Sequence, residues 1–165
     1  MRAFWRDGGK RSEAGPAHGD AIFAAPTIGY LDAMDDRELL AAFEGGTLDP
    51  AGFHHEQHMR VAFRVVREVP LPAALVRVER GLRSLAERAK KPGLYHATIT
   101  WALVFLIHER ALALPPDAAF EQFAAAHPEL LTWAGAKAVL ERRYRPGTLD
   151  SERARATFVL PDAVF

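Results

Sequence analysis

What most limits the folds open to this chain is the placement of its breakers. Gly45-Gly46, Pro50, Pro70 with Pro72, Pro92-Gly93, Pro115-Pro116, Pro128 and Pro146-Gly147 cut it into short segments. Proline cannot continue a helix, and glycine ends one readily in the left-handed conformation, so each break marks a segment boundary. Between the breaks, apolar residues recur three and four apart, the period of a helix with one buried face. No stretch sustains the period-two alternation, bounded by turn signals, that a half-buried strand needs.

The segments then read as helices. Asp35, with Glu38 three residues on, makes a capping pattern for a first helix carrying Leu39, Leu40 and Phe43 and stopped at Gly45-Gly46. A second helix is expected over about Phe53 to Val69, with His55, His58, Ala62, Val65 and Val69 on one face. A third covers about Pro72 to Lys90, with Leu75, Val76, Val78, Leu82 and Leu85 on its buried side. The fourth, about Leu94 to Leu114, is apolar almost all round and belongs at the centre of a bundle. Asp117 is expected to cap a short helix through Ala125, a further helix covers roughly Thr132 to Tyr144, and Asp150 or Ser151 caps a last short one. Phe158-Val159-Leu160-Pro161 reads as an extended tail that packs back. The fold class is all-α: an irregular helical bundle of about five to six helices, with short C-terminal helices and an extended tail.

Residues 1–33 read as a flexible arm, because glycines and prolines interrupt any period there, and 34–165 as a single helical domain. Met34, just ahead of the first strong helix signal, offers an alternative start. The 165 residues are enough for one core without staples. Lys plus Arg and Asp plus Glu number 21 each, which argues against nucleic acid as the main partner. The absence of cysteine excludes disulfides and thiolate chemistry and fits a cytoplasmic setting. Ala97 to Ile107 is too short to span a membrane, and no signal peptide is legible. Gly45-Gly46 lacks the pattern of a phosphate loop, so no nucleotide cofactor is expected.

The chemistry-bearing feature is a histidine cluster, Phe53-His54-His55-Glu56-Gln57-His58. His55 and His58 stand three apart and His54 and His58 four apart, so either pair shares a helix face and can offer two imidazoles to one ion. A third ligand must come from elsewhere. His96, near the start of the central helix in Tyr95-His96-Ala97-Thr98-Ile99-Thr100, is the better candidate, because His108 lies about 120° around that helix. His55, His58 and His96 are thus the candidate metal ligands, for zinc first and copper or iron next, with an open position for water or a small-molecule substrate. Tyr95, Thr100 and Tyr144 are candidate supports or substrate contacts, and Glu56 is a candidate base or a solvated helix residue. No catalytic residue is singled out.

Two resemblances bear on this pattern. Leu40-Ala41-Ala42-Phe43-Glu44-Gly45-Gly46-Thr47-Leu48, the Phe53–His58 run, Tyr95-His96-Ala97-Thr98-Ile99-Thr100-Trp101-Ala102 and the closing Arg143-Tyr144, Ala154-Arg155 and Phe158–Asp162 pieces resemble a family of small bacterial helical proteins. That family's pattern histidines fall on His55, His58 and His96, and the resemblance implies a bacterial cytosolic helical protein without naming a substrate. A looser, fold-level likeness is to the DinB-type metal-binding helical bundles, from whose paired-histidine spacing this chain departs. Two functional readings follow. One is a metal-dependent enzyme with a three-histidine site. The other is a non-catalytic helical ligand-binding or interaction module with structural histidines, its central helix lining a pocket or a homodimer face.

Overall fold

A computed structural model describes residues 30–163, and among them the only regular elements are α-helices and 3-10 turns. In chain order these are α1 (Tyr30–Ala33), α2 (Asp36–Gly45), α3 (His55–Glu68), α4 (Leu71–Arg88), a 3-10 turn at Pro92–Leu94, α5 (Ala97–Ala111), α6 (Phe120–Ala126), a second 3-10 turn at Pro128–Leu130, α7 (Trp133–Glu141) and α8 (Glu152–Ala156). The all-α bundle expected from the breakers is what forms. None of these helices is long and apolar enough to cross a membrane.

The local signals act as read at several ends. Asp35 accepts from the Arg37 and Glu38 backbone N–H groups at 2.8 Å each, and Glu38 reaches back to the Asp35 N–H. Gly46 ends α2 at φ 69°, the left-handed position glycine takes without strain. Thr132 and Ser151 cap α7 and α8 through their hydroxyls. Asp117 does not cap α6. The helix starts at Phe120, and the Ala119 N–H is met by Gln122 Oε1 at 2.9 Å. The central helix is shorter than expected, because the Pro92–Leu94 turn takes up its first residues.

Three helices form the frame. α4 folds back on α3 and α5 folds back on α4, so α3 and α5 run the same way. Arg67 at the end of α3 donates to the Ala111 carbonyl at the end of α5, at 2.8 Å. α5 sits in the middle, packed against α3, α4, α7 and α8. A continuous apolar cluster runs from Leu39 and Phe43 through Val65, Leu85, Leu103 and Ile107 to Phe123 and Leu140. Phe43 fits because α4 has glycine opposite: a Cβ at Gly81 would lie 2.1 Å from its ring. Val76 departs from the expected stripe, being 62% exposed on the outer side of α4.

The expected arm boundary moves. Residues 1–29 lie outside the described chain, but Tyr30–Ala33 is helical and its Leu31 is buried. Arg60 explains why it is held. Its guanidinium pairs with Asp36 at 2.8 Å and donates to the Leu31 and Met34 carbonyls, and so ties α1 and α2 to α3.

Candidate functional site

Because α3 and α5 run in parallel, their first turns lie at the same end of the bundle, and both histidine motifs are there. The side chains, however, face three ways.

His55 opens α3 and is buried. Its Nε2 lies 2.8 Å from the Leu130 carbonyl, and its ring meets Trp133 edge-on. The carbonyl belongs to the 3-10 turn ahead of α7, so His55 ties that turn to α3. Gly135 makes the approach possible, since a Cβ there would lie 2.1 Å from the Glu129 carbonyl oxygen. His58, one turn along, packs its ring against Phe53 at 4.5 Å, and Phe53 in turn stacks on Phe43 of α2. Burial holds the His58 pKa well below the usual histidine value, and neighbouring His55 adds to the depression. His58 is therefore neutral at physiological pH.

His96 is the N-cap of α5. Its Nδ1 accepts from the Ile99 N–H at 3.3 Å, and its Nε2–H donates to the Leu149 carbonyl at 2.8 Å. Both ring nitrogens are thus engaged with the protein's own backbone, one starting the helix and the other holding the segment before α8. Burial depresses its pKa as well, with the Leu149 bond opposing. Among the described residues no three His, Asp or Glu side chains come together in a group able to hold a metal ion, so His55, His58 and His96 do not form the expected set.

The other candidates divide. Glu56 is exposed and His54 faces solvent. Gln57, which drew no attention in the sequence, is buried; its Oε1 accepts the His54 N–H at 2.9 Å while its amide donates to Asp32 of α1. Tyr144 donates its hydroxyl to the Val159 carbonyl at 3.0 Å and so fastens the tail. Burial pushes its pKa up to about 12. Tyr95 lies with its ring 4.0 Å from the Arg83 guanidinium, and burial, with Glu79 adding, pushes its phenol up to about 12. The Tyr95 and Thr100 hydroxyls are buried beside each other, and Thr100 and Trp101 partly offset the rise of the phenol.

Thr98 and Trp101, the motif's remaining members, explain the tail. The Thr98 hydroxyl donates to the Thr157 carbonyl at 2.8 Å and accepts from the Val159 N–H at 3.0 Å. Trp101 stacks on Phe158, and its Nε1–H donates to Glu79 of α4 at 2.8 Å. Asp162 accepts from the Arg145 N–H and the Thr148 hydroxyl, both at 2.8 Å, which lowers its pKa. The Tyr95–Ala102 and Phe158–Asp162 stretches are two halves of one packed strap. Comparison of the chain with protein-family models, curated proteins and solved structures finds no match.

Proposed function

We propose that this chain is a non-catalytic helical binding module whose histidines are structural. The observation that carries the reading is the double engagement of His96. A ring whose two nitrogens already serve Ile99 and Leu149 has none to offer a metal or a substrate proton without opening the start of α5. His55 likewise holds the Leu130 carbonyl. Outside the core, Leu112 at 72% and Leu160 at 73% exposure, with Val76 and Phe105, leave apolar surface on α4, α5 and the tail, as a protein that meets a partner or a second copy would carry.

The metal-dependent enzyme is the second reading. It rests on His55 and His58, which are buried together, His58 being held neutral as a ligand imidazole must be. Metal analysis of untagged protein, after exposure to zinc, copper or iron(II), separates the two. The module reading expects no stoichiometric metal, and expects His96→Ala to lower thermal stability while leaving metal content unchanged. Near-stoichiometric metal that disappears in a folded His55→Ala/His58→Ala variant would overturn it in favour of a metalloprotein.

A further inference from the structure

Four of the five large apolar side chains exposed among the described residues belong to α4, α5 and the strap on α5: Val76, Phe105, Leu112 and Leu160. Helix geometry gathers them. Trp101, Phe105 and Leu112 fall within about 40° of one another around α5, and Phe158 of the strap packs on the first two. α4 runs antiparallel beside α5, and the Trp101 N–H on Glu79 at 2.8 Å fixes the level of one helix against the other. One turn toward the start of α4 from Glu79 lies Val76, and one turn toward the end of α5 from Trp101 lies Phe105. Val76 and Phe105 therefore stand level on neighbouring helices.

Charge is arranged about that pair with a symmetry of its own. Arg80 stands four residues after Val76 on α4, and Glu109 four residues after Phe105 on α5, so each shares the face of its apolar neighbour. Both are exposed, and neither makes an ion pair among the described residues. Because the helices are antiparallel, the two charges lie at opposite ends of the face, each about 6 Å along its helix from the apolar pair. A two-fold axis normal to the face, passing between Val76 and Phe105, exchanges α4 with α5 and one end with the other. It sets the partner's Val76 on Phe105 and the partner's Arg80 on Glu109, and repeats both contacts by symmetry. The face is complementary to itself, which an isologous dimer requires and a foreign partner does not.

We propose that the α4–α5 face is a dimer interface and that its partner is a second copy of this chain. Val76 and Phe105 supply the apolar centre, and Arg80 and Glu109 the rim pairs that fix the orientation. The dimer names the partner of the binding-module reading and rests on it, but it is read from molecular mass and not from metal content, so either can fail alone.

Sedimentation equilibrium of the full chain at up to about 0.5 mM, a range that reaches modest interfaces, is the test. The parent is expected to dimerise. Val76→Glu sets a carboxylate against the partner's Phe105 and is expected to leave a monomer with an unchanged helical spectrum. Arg80→Glu and Glu109→Arg, both at exposed positions, are each expected to weaken self-association about tenfold, since each reverses two rim pairs at once. Mixed together, these two variants are expected to pair as tightly as the parent, because every rim contact of the mixed dimer again joins opposite charges. The Arg80→Glu/Glu109→Arg double variant is expected to regain the parent's affinity for the same reason. A parent that stays monomeric overturns the proposal and leaves the face to residues 1–29 or a foreign partner. So does a dimer that survives Val76→Glu, or single charge variants that fail to rescue each other, because the interface then lies elsewhere.

Discussion

The histidines set how stability responds to pH. His58 and His96 both have folded pKa values below the ordinary 6.5, with burial the largest cause. The unfolded chain therefore binds protons in a range where the folded one does not, and stability rises with pH there. It is fully present above about 6.5 and is lost as pH falls below it, by up to about 1.4 kcal/mol per pH unit for each histidine until its folded pKa is reached. Urea unfolding between pH 7.5 and 5 is expected to show this slope, and a folded His58→Gln variant is expected to show a shallower one; an unchanged slope would mean that His58 does not titrate below its ordinary range. Glycine matters at this scale too. Gly135→Ala would drive a Cβ into the Glu129 carbonyl and push away the turn whose Leu130 carbonyl meets His55. A loss of roughly 2 kcal/mol is expected from such overpacking against backbone, read from the urea midpoint, and Gly93→Ala, with open space around its Cβ, serves as the control.

The elements were the legible part of the sequence, and side-chain direction was the hidden part. Breakers and caps are local, so the α2 start at Asp36 and the α7 and α8 caps at Thr132 and Ser151 can be read from a few residues. The histidine spacing correctly marked a buried face of α3. What spacing cannot say is that His96 lies before its helix as a cap, where it faces Leu149 instead of turning inward with α5. Nor does composition reveal that Arg60 and Arg67 leave solvent to bind carbonyls, since their partners are 26 to 29 and 44 to 48 residues away. The strap was only partly readable: its apolar tail suggested packing, but its register depends on the two bonds of Thr98. Thr98→Val removes both bonds and leaves the Val159 N–H without its acceptor. It is expected to cost about 2 kcal/mol and to speed limited proteolysis after Arg155. If cleavage there is no faster than in the parent, the Phe158 stack and the Tyr144 and Asp162 bonds hold the tail without Thr98.

At the scale of the whole molecule, the bundle is closed at one end by pieces distant in sequence. α1 covers the start of α3, the turn before α7 bonds His55, and the strap crosses α5. Each closure is made by a polar side chain reaching a backbone carbonyl: Arg60 to Leu31 and Met34, His55 to Leu130, His96 to Leu149. Such closures stabilise by satisfying carbonyls that short helices leave without partners, and they fail together with the segment that supplies the carbonyl. α1 makes the sharpest case, because the sequence alone assigned it to the arm. A chain beginning at Met34 would lose the buried Leu31, the Asp32 partner of Gln57 and one of the two carbonyls held by Arg60. Burying a leucine contributes about 2 kcal/mol, and a charge-assisted hydrogen bond adds about 1.5 kcal/mol. The Met34 chain should therefore be less stable than one beginning at Tyr30 by roughly 3 kcal/mol. Urea midpoints of the two chains decide it, and equal midpoints would mean that α1 is an accessory to the bundle.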